Sequence, residues 1–160
     1  MCNLEFKADE SIEQVIDKYA DMVYRLALAK TQSKYDAEDV FQTVFMKYLK
    51  KAPVFESEEH QKAWLIRVTV NCSKSIFLSY WRKNTQPLEE TLPTEDKEKV
   101  ELFQELKKLP QRYREVIHLF YYEDLSVAQI SEILHRKEST VRTQLTRARS
   151  ILRSFMKEED

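Results

Sequence analysis

The 160-residue chain contains no glycine at all. Tight β-hairpin turns depend on backbone conformations with positive φ that glycine adopts at the least cost, so a chain without glycine is poorly suited to a hairpin-rich sheet. Proline is also sparse, and it occurs only at positions 53, 87, 93 and 110. Long stretches therefore lack both of the residues that most often interrupt a helix, and the sequence predicts an all-α fold.

The segment at 84–97, NTQPLEETLPTEDK, differs from the sequence around it because it is acidic, contains two of the prolines and has almost no apolar periodicity. Such a composition favours a flexible acidic linker. The prediction is two small helical domains, at 1–83 and 98–160, joined by this linker. Each is near the lower size limit for independent folding, so each must pack its helices efficiently.

Apolar residues at helical spacing indicate three helices before the linker and four after it. The predicted positions are about 11–30, 36–50 (with Asp36 as the capping residue) and 60–83, then 97–108, a helix starting near Pro110, and two helices within 126–153. The C-terminal domain is therefore predicted to contain four helices.

The stretch 126–153 reads as a short helix, a tight turn and a longer helix, which is the pattern of a helix-turn-helix. Ser126 and Gln129 have the spacing of a capping box, which predicts where the short helix begins. His135 stands at the turn position where glycine is frequent, and positive φ there costs a non-glycine residue about 1–2 kcal/mol. The longer helix has one continuous apolar stripe: Val141, Leu145, Ala148, Leu152 and Phe155.

The net charge of the chain is −1, but 134–153 carries six cations and one acid, a local charge of +5. A rigid basic helix braced by a second helix has the shape and sign to enter the DNA major groove. The alternative is a solvated basic face with no nucleic-acid partner.

Catalysis is the weakest functional class, because the three histidines are isolated and no phosphate-binding glycine loop exists. The two cysteines lack metal-ligand spacing, and no cofactor is predicted. The sequence has no apolar run of about 20 residues that could span a membrane. A cytoplasmic protein without membrane insertion is expected.

Four segments occur in an order that resembles the extracytoplasmic-function (ECF) group of bacterial RNA polymerase sigma factors. They are DAEDVFQTVFMKYLK at 36–50, HQKAWLIRVTVN at 60–71, LPQRYREVIHLFYYEDLSVAQISEIL at 109–134 and STVRTQLTRARSILR at 139–153. The resemblance covers roughly 10–156. It implies an N-terminal domain that binds core polymerase and opens the −10 promoter element, and a C-terminal domain that binds the −35 element.

By this resemblance, Asp36, Asp39 and Gln42 match the helix that engages core polymerase. Without the resemblance, helix capping and solvation explain these carboxylates equally well.

The resemblance also assigns Phe55 and Asn71 to a pocket for an unstacked −10 base, with Arg82 and Lys83 flanking it. An aromatic face can stack on a base and an amide can both donate to and accept from its edge. The alternative for Phe55 is a loop aromatic that covers the core. The family often has an Asp four residues after the Asn, and this chain has Ser75 there instead.

In the last helix, the resemblance assigns seven residues to the −35 element, and arginine there is suited to guanine edges and threonine to phosphates or thymine methyl groups. They are Lys137, Ser139, Thr140, Arg142, Thr143, Thr146 and Arg147.

The expected partners are core RNA polymerase, promoter DNA and, by the same resemblance, an anti-sigma factor. The main rival is a conventional helix-turn-helix regulator that binds DNA without core polymerase. An all-helical adaptor that binds only protein is a third class, which the basic helix disfavours.

Overall fold

The structure is a computed structural model that describes residues 11–81 and 106–158, with side chains for 11–75 and 106–155. Every regular element in these ranges is a helix, which confirms the predicted all-α class. The chain forms two compact units divided between Pro87 and Leu88. The predicted linker, most of the predicted helix at 97–108, and Arg82 and Lys83 lie outside the described residues. No described helix is long and apolar enough to cross a membrane.

The N-terminal unit consists of three mutually packed helices: α1 (Ile12–Thr31), α2 (Lys34–Lys51) and α3 (Glu58–Trp81). Each helix contributes aliphatic side chains that are almost completely shielded from solvent. Among the most deeply buried are Val15, Val23, Leu26, Val40, Val44, Leu65 and Ile66. Burial of such side chains supplies about 1.5–3 kcal/mol each, so this small unit depends on all three helices to enclose its core.

A buried hydrogen-bond chain joins the three helices at one level of the bundle. Tyr19 of α1 donates its hydroxyl to Gln61 Oε1 of α3 over 3.1 Å, and Gln61 Nε2 donates to Tyr48 Oη of α2 over 3.0 Å. Gln61 is only 1% exposed, so the loss of either partner would leave a polar group with reduced access to water. These two hydrogen bonds fix the position of Tyr48 relative to α3, and Tyr48 belongs to the aromatic cluster described below.

The start of α2 differs from the prediction. Ser33 is the capping residue, because its extended backbone directs Oγ to accept the Asp36 backbone N–H over 3.3 Å. Asp36 therefore lies in the first turn and was wrongly predicted as the cap. The two-residue connection from α1 explains the shift: Gln32 has left-handed backbone dihedrals that end α1, and the next residue must begin α2.

The C-terminal unit contains α4 (Gln111–Tyr121), α5 (Val127–Leu134) and α6 (Glu138–Glu158). These three helices contact one another and enclose a second apolar core. Its buried members include Leu106, Val116, Ile117, Leu119, Ile130, Val141, Leu145 and Ala148.

Left-handed backbone conformations occur in this glycine-free chain after all. Among the described residues they fall at Gln32, Ala52, Asp124 and His135, all with φ between 42° and 56°. Three of them directly follow a helix, where a left-handed residue lets the chain turn away while its N–H still bonds to the last turn. The absence of glycine thus disfavoured hairpins without preventing sharp helix ends.

Candidate nucleic-acid interface

The helix-turn-helix begins at the predicted capping box. Gln129 N–H donates to Ser126 Oγ over 3.1 Å, and Ser126 N–H donates to Gln129 Oε1 over 2.9 Å. The short helix α5 ends at His135, whose left-handed backbone has φ 56° and ψ 46°. Ser131 Oγ donates to the Arg136 carbonyl across the same turn. Local hydrogen bonds therefore fix both ends of α5, and with them the angle at which α6 leaves the turn.

The strained turn residue gives a direct stability test. We expect His135→Gly to raise the free energy of unfolding of the C-terminal unit by about 1 kcal/mol, because relief of the left-handed penalty exceeds the extra entropy of an unfolded glycine. Urea titration followed by amide NMR would report each unit separately. His135→Ala is the matched control and should give no gain, and an equal gain from alanine would contradict this explanation.

The long helix α6 separates an apolar side from a polar side as the spacing predicts. Val141, Leu145 and Ala148 are buried against the rest of the unit, whereas Leu152 and Phe155 are half-buried. The seven residues that the resemblance assigns to −35 DNA are all exposed: Lys137, Ser139, Thr140, Arg142, Thr143, Thr146 and Arg147. Their side chains are accessible to a nucleic acid without any rearrangement of the core.

Two of the cations counted in the basic segment make contacts within the unit. Arg136 bonds Glu115 Oε2 of α4 over 2.9 Å and Gln144 Oε1 of α6 over 3.0 Å. Arg149 lies 5.3 Å from the centre of the Phe120 ring and donates to Tyr121 Oη over 2.9 Å. The local charge of +5 therefore overstates the charge presented to a ligand, and the sequence alone gave no sign of these partners.

The Arg136–Glu115 pair connects the turn to α4. The Glu115 side chain is 2% exposed and the Arg136 side chain 20% exposed, so little water screens their attraction. The neighbouring Arg114 is also buried, donates to the Leu109 carbonyl over 3.1 Å, and has its pKa lowered to about 10 by burial. The Arg136–Glu115 pair braces the helix-turn-helix from the α4 side, and the Arg114 bond fixes the start of α4.

Three residues outside the predicted set, Arg112, Tyr113 and Gln144, join the predicted residues at the start of α6. A groove of about 330 Å³ is lined by Arg112, Tyr113, Ser139, Thr140, Thr143, Gln144 and Arg147. Arg112 and Tyr113 come from the first turn of α4, directly after Pro110. The only sequence signal for them was the proline that starts the helix, because their distance from α6 depends on how the two helices pack.

In the N-terminal unit, Phe55 lies in an aromatic cluster. Its ring centre is 6.0 Å from that of Tyr48, 6.0 Å from that of Trp64 and 5.3 Å from that of His60. Phe55 is only 6% exposed, which agrees with the alternative that it covers the core. Asn71 is exposed and follows Trp64 by seven residues, so it lies about 10 Å further along the same side of α3. Phe55 does not present an open face for stacking in this structure.

The helix α2 has a second, outward-facing stripe. Tyr35, Asp39, Gln42, Met46 and Leu49 recur at spacings of four and three, and all five are exposed. Met46 and Leu49 are 67% and 60% exposed, which is unusual for apolar side chains of this size. Asp36 lies off this stripe and is half-buried, and its burial, with a smaller effect from Asp39, raises its pKa above the usual value. Asp39 and Gln42 thus share a surface with apolar neighbours, and Asp36 does not.

Together, the two helical units and the exposed basic face of a helix-turn-helix define a helical protein of the DNA-binding class. The sequence matches the family models for Sigma-70 region 2 over residues 15–86 and Sigma-70, region 4 over residues 99–152. The chain belongs to the ECF group of RNA polymerase sigma factors, which are transcription initiation factors.

Individual relatives agree with this family. RNA polymerase sigma factor SigV of Bacillus subtilis is 31% identical over 143 residues, covering 86% of each chain. ECF RNA polymerase sigma factor SigW of the same organism is 27% identical, covering 93% of this chain and 90% of SigW. The fold is similar to that of the sigma factor RpoE from Bartonella quintana, solved with the anti-sigma factor NepR, with a TM-score of 0.77, 21% identity, and coverage of 91% and 96%.

Proposed function

We propose that the exposed face of α6 binds the −35 promoter element, while the N-terminal unit binds core polymerase and opens the −10 element. The observation that carries the proposal is the division of α6 itself: its apolar side is buried against α4 and α5, and all its predicted DNA-binding side chains are exposed. An α-helix presented in this way fits the width of the major groove.

Within α6, Arg142 is proposed to read bases, and Arg147 and the hydroxyl residues near the helix start are proposed to hold phosphates. Arg142 is paired with Glu138 at 3.3 Å, but both side chains are exposed and the pair is worth little. Arg142 can therefore leave Glu138 and bind a guanine edge at small cost in free energy. Thr143 donates its hydroxyl to the Ser139 carbonyl over 2.9 Å, so its methyl group and not its proton is available to a base.

Removal of either arginine should weaken promoter binding. We expect Arg142→Ala and Arg147→Ala each to cost about 1–3 kcal/mol in affinity for a duplex carrying the protein's own −35 element, measured by fluorescence anisotropy at fixed salt. Arg153→Ala removes an exposed arginine further along α6 and should leave sequence discrimination unchanged. Unchanged affinity and discrimination in both test variants would contradict the assignment.

The α2 stripe is the proposed contact with core polymerase. It combines the apolar side chains of Met46 and Leu49 with the polar groups of Asp39 and Gln42, a mixture typical of protein interfaces with an apolar centre and polar edge. Asp36 is proposed to support this surface through its position in the first turn of α2 rather than by direct contact.

For the −10 element, we propose that Asn71 bonds the edge of an unstacked base and that Phe55 supports the pocket from beneath. Tyr48 and Trp64 pack on Phe55 and are half-buried, so they present more ring surface than Phe55 does. Stacking on such rings contributes about 1–3 kcal/mol per base. Arg82 and Lys83 remain proposed flanking contacts to phosphates.

Because the proposed partners are core polymerase and promoter DNA, the proposed site of action is the bacterial cytoplasm, and an anti-sigma factor is the proposed regulator. Support for the regulator comes from the fold shared with RpoE, which was solved with its anti-sigma factor. The test of the whole function is run-off transcription from the promoter upstream of the protein's own gene, using core polymerase with and without the protein. Specific initiation only in its presence is the expected result. Tight binding of the isolated protein to duplex DNA, without any binding to core, would instead indicate a conventional regulator.

A further inference from the structure

The groove between α4 and α6 brings together two guanidinium groups from different helices. Arg112, on α4, donates from Nη2 to Tyr113 Oη over 3.4 Å and lies 4.9 Å from the centre of the Tyr113 ring. Arg147, on α6, lies near enough to the Tyr113 hydroxyl to help lower its pKa. The phenol oxygen therefore lies close to two cations, and both arginine side chains are exposed where they line the groove.

The rest of the groove contains hydrogen-bonding groups but no acid. Ser139, Thr140 and Thr143 contribute hydroxyl groups and Gln144 an amide, and none of the described lining residues carries a carboxylate. The cations, above all through their hydrogen bonds, lower the pKa of Tyr113 below its usual value. A site that stabilises a phenolate oxygen in this way has the same preference for any other oxyanion.

We propose that this groove is a phosphate-binding site in which Arg112, Arg147 and the Tyr113 hydroxyl hold one phosphate of the DNA backbone at the edge of the −35 contact. The inference rests on the proposed function of α6, and it adds two residues from α4 to that surface. Arginine binds phosphate oxygens through a planar fork of donors, and Tyr113 lies beside both guanidinium groups before DNA arrives.

The position of the groove favours a backbone phosphate over a free ion. It lies beside the first three turns of α6, next to the residues proposed to enter the major groove, and most of its lining residues on α6 are exposed. A helix in the major groove is flanked by phosphates of both strands, and contacts to them set the register of the helix. Arg112 therefore acts as a second anchor on α4, and it would fix the angle at which α6 meets the bases.

An uncharged analogue of the backbone phosphate is the direct probe. One phosphate at a time in the −35 duplex is replaced by methylphosphonate, and affinity is measured for the full-length protein and for Arg112→Gln. We expect one position at which neutralisation weakens the native protein by about 10-fold but leaves Arg112→Gln nearly unaffected, and a salt slope about one unit smaller in the variant. Arg153→Gln is the control, since it removes the same charge from α6 and should retain the methylphosphonate effect.

Inorganic phosphate distinguishes the two sources of the ligand. Inorganic phosphate and chloride are compared at equal ionic strength for their ability to displace DNA. If phosphate displaces more DNA than chloride from the native protein, but not from Arg112→Gln, the groove also binds the free phosphate ion. Tyr113→Phe should reduce either effect, because the two arginines lose their common partner. The proposal would be overturned if no methylphosphonate position affected the native protein more than Arg112→Gln, and if inorganic phosphate displaced DNA no more than chloride did.

Failure of this proposal is distinguishable from failure of the function. A native protein that initiates at the −35-dependent promoter, with Arg112→Gln retaining the full methylphosphonate effect, would reject the phosphate site alone. Loss of initiation with native protein and core polymerase would reject the function, whatever Arg112 does.

Discussion

Replacement of Arg136 by alanine is expected to lower the free energy of unfolding of the C-terminal unit by about 3 kcal/mol, the lower end of the range for breaking a buried ion pair. The Glu115 carboxylate is 2% exposed and would remain in the interior after losing its guanidinium partner. The lower end applies because Arg136 itself is 20% exposed and water can partly replace it. Gln144 on α6 would also lose its hydrogen bond from Arg136.

The exposed pair Glu138–Arg142 is the matched control for this prediction. Arg142→Ala breaks an ion pair at a similar distance, 3.3 Å, but with both side chains in solvent, and should cost only about 0.3–0.5 kcal/mol. Glu115→Gln combined with Arg136→Ala should recover part of the loss, because the buried charge is removed with its partner. Urea titration followed by amide NMR measures all three variants. Equal losses from Arg136→Ala and Arg142→Ala would show that burial does not control the strength of the pair.

The second large effect is expected on core binding. Met46→Asp should weaken the affinity for core polymerase by about 30-fold or more, since loss of a central apolar contact typically costs at least about 2 kcal/mol. Met46 lies between Gln42 and Leu49 on the α2 stripe and is 67% exposed, so the substitution should not disturb the core of the unit. Leu49→Asp, one turn further along α2, is expected to act in the same direction.

The control for core binding is Lys47→Asp. It introduces the same carboxylate on the same helix, about 100° round from Met46 and therefore off the stripe. Affinity is measured by competition with labelled native protein for core polymerase, and circular dichroism checks that each variant is folded. Similar weakening by Met46→Asp and Lys47→Asp would indicate a general charge effect and would reject the stripe as the contact surface.

Local features of this chain could be predicted from sequence where they depend on neighbours in sequence. The capping box of Ser126 and Gln129, the left-handed turn at His135 and the buried stripe through Val141, Leu145 and Ala148 all follow from spacings within one or two helical turns. The cap of α2 was missed because two residues, Ser33 and Asp36, both have side chains that can cap a helix. The length of the connection from α1 selected Ser33.

The partners of charged and aromatic side chains could not be predicted in the same way. Arg136 and Arg149 contribute to the local charge of +5 in the sequence, but their partners lie 21 and 28 residues away along the chain. Phe55 was assigned to a base pocket, and its burial among Tyr48, His60 and Trp64 depends on how α2 and α3 pack. Arg112 and Tyr113 could not be predicted as site residues, because nothing in their own segment relates them to α6.

By itself, the sequence determined the helical class, the helix-turn-helix and its apolar side, and the family, because periodicity, capping and motif order are all properties of the chain read in one dimension. The tertiary structure alone decided which cations remain available to DNA, which aromatic rings are exposed, and that two arginines from separate helices share one tyrosine. Charge and burial act through space over a few ångströms, and side chains at that distance are often separated by many residues along the chain.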